Sequence, residues 1–388
     1  VLDIWFWQRI VSPHMAHLAA ALAKKGLRVT YVAEQPMSTD RQQQGWQAPD
    51  LPGVSLVFAN TDTEIGSLIH DAPDHSVHIC QGIRSNGKIA IAQRVLSARG
   101  LPQWVVMETV DDSGWRGSVK RLVYRRLFLS RRNSLQGVLA IGQRTVDWVA
   151  ARGMPAERVF PFAYFLPEPG AAETAIVRAP GAFRFVFAGQ LIPRKRVDWL
   201  INALSAVANQ DFELLIVGTG PEEPALCTLA ASQLGDRVRW MGRLSLTEVP
   251  SVLAQADCLV LPSVHDGWGA VVSEALMAGT PAVCSDACGA AEVVHASGVG
   301  GVFPRDQIDG LRTKLDAQLK AEIIDPSRRA QLASWATALG ADAGATYLLD
   351  VLAFANNGGK RPSPPWRAGR CRNAGRGQAM SSRKTVCV

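Results

Sequence analysis

Residues 266–286 read DGWGAVVSEALMAGTPAVCSD. Asp266, Gly267, Trp268 and Gly269 make a glycine-bracketed loop, and an apolar helical pattern follows at once, carrying Glu274 and closed by Gly279. A loop whose backbone can be approached closely, leading into a helix N-terminus, offers unpaired N–H groups and the positive end of a helix dipole to an anion. Such a turn suits phosphate. The two carboxylates repel phosphate and are better suited to accept from hydroxyls. Phosphate and hydroxyls together point to a sugar nucleotide.

Cations for the same ligand lie upstream. Residues 189–195 (GQLIPRK) follow the apolar run 183–188 (FRFVFA), and residues 218–221 (GTGP) follow 213–217 (ELLIV). The Asp266 loop follows 258–262 (CLVLP). Ligands of open α/β sheets bind at the C-terminal ends of strands, so the three loops share one edge. Arg194 and Lys195 bring cations to that edge, and charge-assisted bonds to a diphosphate are about twice as strong as neutral ones. Taken singly, each feature has a plainer reading: a solvated lysine, a tight turn at Gly218 and Gly220, an N-cap at Asp266, a helix-surface carboxylate at Glu274. Three such loops on successive strand ends favour a nucleotide site.

The elements that must position these residues form a β/α series. Strands are predicted at 183–188, 213–217, 238–240, 258–262, 282–285 and 301–303, alternating with helices at 196–208, 223–234, 246–254, 270–278, 290–296 and 308–320. Near-continuous apolar strands covered by helices imply a doubly wound parallel sheet. The N-terminal half opens the same way, with a strand at 2–7, a helix at 15–25 and a strand at 28–34. Further strands are expected at 54–60, 77–81, 103–109, 137–142 and 159–164, and helices at 89–99 and 143–152. The polar stretch 35–52 reads as a loop. The fold class is α/β, with two Rossmann-like doubly wound domains facing a cleft. Residues 1–166 form the first domain, the Pro-, Ala- and Gly-rich stretch 167–180 a linker, and 181–340 the second domain. A closing helix at 341–354 precedes a basic tail at 355–388.

Composition narrows the class. Hydrophobic residues make up 47% of 388, enough for sizeable cores. No apolar run reaches the roughly 18 residues of a spanning helix, and no basic segment leads into an apolar one at the start, so no signal peptide is expected. The net charge of +7 is local: residues 355–388 hold eight of the 41 Lys and Arg and no acid, leaving 33 basic against 34 acidic residues elsewhere. That tail is expected to be disordered, and a nucleic-acid role through it is the weakest reading. Residues 116–132 (RGSVKRLVYRRLFLSRR) carry seven cations and no acid, with Leu122, Val123, Leu127 and Phe128 at helical spacing. An amphipathic basic helix of this kind can lie on an anionic membrane face or pack its apolar stripe on the core. Seven scattered cysteines form no disulfide framework. Cys284, Cys288 and His295 lack the second pair of a zinc site. A reducing, cytoplasmic compartment fits.

The stretches FAGQLIPRKRVD (187–198), IVGTGP (216–221), VRWMG (238–242) and DGWGAVVSEA (266–275) resemble, in order and spacing, family 4 retaining glycosyltransferases of GT-B fold, of the bacterial cell-surface polysaccharide type. The resemblance covers roughly 183–304; the N-terminal half shares only the β/α pattern. It implies that Lys195 holds the donor diphosphate with the backbone of Gly267, Trp268, Gly269 and Ala270. Glu274 would bind ribose hydroxyls and Asp266 the transferred sugar, Arg243 and Leu244 would border the base, and Gly189, Gln190, Arg194, Gly218 and Gly220 would complete the donor site. Lys195, Asp266 and Glu274 are the residues assigned to catalysis. Four departures stand out: Asp266 replaces the usual Glu, Trp268 stands where Phe is common, Gln190 stands where many members have Arg, and the Gly-Gly loop after the first strand is replaced by residues 9–14 (RIVSPH). His14 and Glu108 are candidates for the acceptor side.

The resemblance implies transfer of a hexosyl unit from a nucleoside diphosphate sugar to a hydroxyl of a saccharide or lipid-linked saccharide, with retention and no required metal, in polysaccharide or lipopolysaccharide synthesis. The protein would sit in the cytoplasm or peripherally on the inner membrane face. A nucleotide-sugar epimerase of related fold and a non-catalytic nucleotide-sugar binder are the alternatives.

Overall fold

The computed structural model describes residues 2–43, 46–168, 181–207, 210–321 and 323–368. The N-terminal domain runs β1 (Asp3–Ile10), α1 (Pro13–Lys24), β2 (Arg28–Gln35), α2 (Thr39–Gln43), β3 (Ser55–Phe58), α3 (Asp62–Asp71), β4 (Val77–Gln81), α4 (Ile89–Arg99), β5 (Gln103–Met107), α5 (Gly114–Arg131), β6 (Leu135–Ile141), α6 (Gln143–Ala150) and β7 (Val159–Phe162). The second domain runs β8 (Phe183–Ala188), α7 (Val197–Ser205), β9 (Phe212–Val217), α8 (Glu223–Gln233), β10 (Val238–Gly242), α9 (Val249–Ala254), β11 (Cys258–Leu261), α10 (Ala270–Met277), β12 (Ala282–Ser285), α11 (Ala291–Ser297), β13 (Gly301–Phe303), α12 (Ile308–Lys320) and α13 (Pro326–Ala336). A last helix, α14 (Ala341–Asn357), follows.

Both sheets are parallel, ordered β3-β2-β1-β4-β5-β6-β7 and β10-β9-β8-β11-β12-β13. The order reverses direction between β1 and β4 in the first sheet and between β8 and β11 in the second. At such a switch point the loops leave towards opposite faces and open a crevice, where ligands bind. Phe185, Phe187, Leu214, Ile216, Leu259 and Leu261 are buried in the second sheet, as parallel strands covered on both faces must be.

Sequence patterning missed one helix. The stretch between the third and fourth strands contains α3, whose N-cap Thr61 and Glu64 form a reciprocal capping box. The T-x-x-E spacing was there to be read. The loop expected at 35–52 also holds the short α2. Of the expected linker, 169–180 lies outside the described residues.

The expectation of a disordered tail from residue 355 is corrected for its first part. Helix α14 continues to Asn357 and packs on α1 of the first domain, with Lys25 pairing to Asp342 at 2.9 Å. Beyond it, the Arg361 guanidinium donates to the carbonyls of Glu157 and Val159 and lies over the Phe160 ring at 4.5 Å. Trp366 is buried between Phe165 and Trp268, and its indole N–H donates to Glu292 at 3.1 Å. Composition hid this because one tryptophan and one arginine do the anchoring in an otherwise polar segment. Residues 369–388 lie outside the described residues.

Removing a fully buried tryptophan typically costs about 3–5 kcal/mol. Trp366→Ala should therefore lower the melting temperature by several degrees in calorimetry, and truncation after Asn357 should do the same. An unchanged melting temperature in both would refute the anchoring role.

Candidate active site

A cleft of about 2100 Å³ separates the two C-terminal sheet edges and takes its lining from both domains. On the second domain its wall is the β8/β11 switch point. The segment after β8 turns through Pro193–Lys195, with proline setting the first helical φ, and Arg196 in the left-handed region starts α7. This presents Lys195 across the crevice to the loop after β11. Its ammonium pairs with Asp266 Oδ2 at 2.5 Å, both side chains nearly buried at 11% and 12% exposure. Arg194 donates to the His265 carbonyl at 3.1 Å, while the Val264 N–H donates to the Arg194 carbonyl.

Asp266 is not an N-cap. Gly269, with φ 83°, occupies the cap of α10 and no side chain caps that helix. The turn is held instead from behind: Asp266 N–H donates to Ala287 O, and the Asp266 and Trp268 carbonyls accept from the N–H groups of Gly289 and Ala290. Gly267, Gly269 and Ala270 line the cleft at the helix start, where backbone N–H groups lack intrahelical acceptors. A Cβ on Gly267 would meet the Glu108 carboxylate of the other domain and displace it.

Glu274 is not the surface carboxylate of the plainer reading. It lies one turn into α10 and lines the cleft, and its carboxylate has no hydrogen-bond or ion-pair partner among the described residues. Burial raises its pKa to about 7. A carboxyl held like this is poised to accept hydrogen bonds from a ligand's hydroxyls.

The remaining sequence candidates divide. Gly189, Gln190, Arg243 and Leu244 line the cleft, and Arg243 donates to the Thr219 hydroxyl at 3.3 Å. Gly218 and Gly220 shape it: a Cβ at either position would strike the backbone of the 189–191 segment, which packs on them through Leu191 N–H to Thr219 O. Trp268 belongs to this cleft-lining turn, and the donor role expected of it is one for its backbone. Its side chain turns away from the cleft into the core, donates to the Ser273 hydroxyl at 3.0 Å and packs on Trp366. Its large apolar ring gains more from burial than from a polar cleft. The Cys288 thiol donates to the Trp268 carbonyl beneath the loop.

His14 and Glu108 both reach the cleft from the first domain. Tyr164, which sequence reading left as a strand residue, joins them: its hydroxyl donates to Glu108 at 2.5 Å and its ring stacks on His14 at 4.6 Å. Burial raises the Glu108 pKa, opposed by the Tyr164 hydrogen bond and reinforced by Asp266 across the cleft. Burial, with Arg41 and His17 nearby, lowers that of His14 to about 4, so the imidazole is neutral at pH 7. Position at the end of a strand was the only signal available for Tyr164.

Residues 182–320 match the family model of glycosyl transferases group 1. Among curated proteins, 2-deoxystreptamine glucosyltransferase of Streptomyces kanamyceticus is 30% identical over 180 residues, 43% of this chain and 43% of that protein. A GDP-mannose-dependent monoacylated alpha-(1-6)-phosphatidylinositol monomannoside mannosyltransferase of Corynebacterium glutamicum is 34% identical over 153 residues, 37% of this chain and 38% of that protein. The chain thus spans less than half the length of these two relatives. Among solved structures, the apo lipopolysaccharide outer core galactosyltransferase WaaB superposes with a TM-score of 0.68 at 14% identity, covering 91% of this chain and 99% of that one. HepE of Anabaena in complex with UDP gives 0.67 at 16% identity, covering 91% and 100%. The fold is GT-B, as expected from the sequence, and the second domain is a glycosyl transferases group 1 domain.

The raised pKa of Glu274 has a stability consequence. The folded protein holds this proton up to about pH 7, whereas the unfolded chain releases it near pH 4.3. Stability is therefore lost as pH rises through that window. Glu274→Gln should match the wild type at pH 4.5 and exceed it by roughly 1–2 kcal/mol at pH 8, the full shift being discounted because the cleft admits water. Parallel pH dependences in chemical denaturation would count against this.

Proposed function

We propose that this protein is a retaining glycosyltransferase that moves a hexosyl unit from a nucleoside diphosphate sugar to a hydroxyl acceptor. The observation that carries the reading is the convergence of Lys195, Asp266, Glu274 and the α10 N-terminus on one sheet switch point. The group 1 match over the same segment supports it.

Without ligand, Asp266 neutralises Lys195. A diphosphate competes for that ammonium, and when Lys195 turns to it, the Asp266 carboxylate is released to accept hydrogen bonds from the donor sugar. Glu274 accepts from ribose hydroxyls, which favours its ionised form. Transfer breaks the bond from the anomeric carbon to the diphosphate oxygen and forms one to the acceptor oxygen. The acceptor proton passes to the departing diphosphate. Negative charge grows on that diphosphate, and Lys195 with the free N–H groups of α10 stabilises it. The scheme uses no metal. Acceptors are saccharides or lipid-linked saccharides of surface polysaccharide or lipopolysaccharide synthesis, entering from the Glu108 side.

Calorimetry with UDP, GDP and ADP, followed by a turnover screen of nucleotide sugars with and without acceptors, tests this. Lys195→Ala should reduce turnover by about 10²–10³ with an unchanged circular dichroism spectrum. Unchanged turnover would sink the assignment. Donor conversion without acceptor would instead favour an epimerase, and binding without turnover a non-catalytic binder.

We infer that the protein works at an anionic membrane face, in the cytoplasm. Helix α5 turns Phe128 and Gly117 inward but leaves Trp115, Val119, Leu122 and Leu129 exposed, Trp115 at 76%. These side chains recur along one side of the helix at helical spacing, with exposed Arg126 among them and exposed Arg116 and Arg125 flanking them. Of the expected apolar stripe, Phe128 is buried and Val123 and Leu127 are half-buried, but Leu122 is exposed and belongs to the outer stripe. No helix among the described residues is long and apolar enough to cross a membrane, so contact would be peripheral. Co-sedimentation with vesicles containing phosphatidylglycerol should fall sharply in Trp115→Ser/Leu122→Ser, and neutral vesicles should bind less. Equal binding in all cases would overturn the idea.

A further inference from the structure

The two sheets offer two switch-point crevices to one cleft, and the donor reading uses only that of the second domain. The other lies between β1 and β4, whose register pairs Trp7 with Cys80 and sets their C-terminal ends side by side. The backbone N–H of Arg9 donates to Gln81 Oε1 at 3.0 Å, closing the gap between those ends. The loop that follows β4, residues 82–87, folds back over it: Asn86 Nδ2 donates to the carbonyls of Gln81 and Gly82 at 3.1 and 3.2 Å. Glu34 secures the far end of this loop by accepting from the Lys88 N–H at 2.7 Å.

This crevice holds buried side-chain polar atoms that the described residues do not satisfy. Gln8 and Asn86 line the cleft and are only 2% and 4% exposed. Gln8 Nε2 and Asn86 Oδ1 are nevertheless buried without a hydrogen-bond partner among the described residues, and so is Nδ1 of neighbouring His14. Five side-chain polar atoms among the described residues share that condition, and three of them line this half of the cleft. An unpaired buried polar atom is costly, so such a cluster marks a place where a ligand completes the bonding. The cluster offers one amide donor and one amide acceptor, the set that a saccharide hydroxyl satisfies.

Charge adds a second requirement. Arg9 and Arg84 line the same crevice with exposed side chains, and neither has an ion-pair partner among the described residues. Arg41, stacked over Trp46 at 4.3 Å, adds a third cation on the His14 side. Of the carboxylates at the first domain's strand ends, Glu108 lines the cleft and Tyr164 already donates to it, while Glu34 accepts from the Lys88 N–H behind the loop. Guanidinium groups match phosphate oxygens bidentately. The Gln8 and Asn86 amides and the guanidinium groups of Arg9 and Arg84 lie at the ends of the adjacent strands β1 and β4.

We infer that the β1/β4 crevice is an acceptor subsite for a saccharide bearing a phosphoryl group, with Gln8 and Asn86 taking a hydroxyl and Arg9 and Arg84 the phosphoryl oxygens. The inference rests on the glycosyltransferase reading for the word acceptor, but the binding site stands on its own residues. It leaves two sources for the same chemistry, a soluble sugar phosphate and a saccharide joined through phosphate to a lipid.

The test is calorimetric titration of the full chain, saturated with whichever of UDP, GDP and ADP it binds. The probes are glucose 6-phosphate, glucose, and glucose linked to farnesyl diphosphate in detergent. The phosphorylated probes should bind at least tenfold more tightly than glucose. Arg9→Gln/Arg84→Gln should remove that preference, since each charged hydrogen bond is worth roughly tenfold in affinity. Lys195→Ala should keep it while losing nucleotide affinity. A preference surviving in the arginine variant, one lost instead in Lys195→Ala, equal binding of glucose, or no binding of either phosphorylated probe would each overturn the proposal. A tighter farnesyl arm assigns a lipid-linked source, and equal arms a soluble one. If no nucleotide binds, the donor reading fails, while the same titrations without nucleotide still decide the subsite.

Discussion

The pairing of Lys195 with Asp266 is the contact on which the second domain's working edge depends. The two residues come from loops that leave neighbouring strands at a switch point, where the Val264 N–H bond to the Arg194 carbonyl is the backbone link between them that the structure shows. Their ion pair spans the gap. Taking two charges out of water is costly, and a pair of this kind adds little net stability. Its persistence is better understood as storage. Each charge keeps the other compensated until a ligand with a diphosphate and hydroxyls offers both a better partner. Everything behind the pair serves to fix it: Pro193 and Arg196 set the lysine turn, and the 287–290 segment ties down the aspartate turn.

The same constraint repeats in the first domain with different contents. There the gap between β1 and β4 is spanned by a neutral amide, Gln81, rather than by an ion pair, and Asn86 braces the loop behind it. A neutral bridge leaves Arg9 and Arg84 without an ion-pair partner among the described residues, whereas the ionic bridge of the second domain uses its cation up. The two crevices thus differ in what they ask of a ligand. One must displace an internal carboxylate, and the other must supply an anion of its own. Glu108 and Tyr164 stand between them, with the Glu108 carboxylate against Gly267.

Much of this was legible in the amino-acid sequence. The second domain's strands and helices followed from apolar runs and glycine stops, because parallel strands buried on both faces leave an unambiguous pattern. The loops at Gly189, Gly218 and Asp266 followed from the rule that strand ends hold ligands. Roles that depend on three-dimensional direction were not legible. Trp268 sits in a ligand-lining loop and yet points into the core, and nothing in its neighbours' types reveals that. Asp266 has the residue type and spacing of an N-cap, and only the turn geometry hands it to Lys195 instead. Tyr164 and Gln8 end apolar strands, where polar atoms look incidental until the opposing strand end is placed beside them. The segment 358–368 misled through composition, since its order comes from long-range anchors rather than from local propensity.

Those anchors bear on how the cleft can move. Trp366 packs against Trp268, whose own backbone belongs to the loop at the α10 N-terminus. Its indole N–H is held by Glu292 of the second domain, while Arg361 of the same segment is held by carbonyls of the first. Arg367 bridges as well, donating to Gln143 at the start of α6 and pairing with Glu292. The last described residues therefore form a strap from the first domain's β7 end to the underside of the α10 turn. A hinge between two domains would ordinarily leave each sheet edge free to shift alone. With the strap in place, rotation of one domain pulls on Trp366 and so on the loop that carries Asp266 and Gly267. A tryptophan packed in a dry contact transmits such displacement because protein interiors compress very little. The position of the α10 turn is thus set jointly by the ion pair in front of it and by the strap behind.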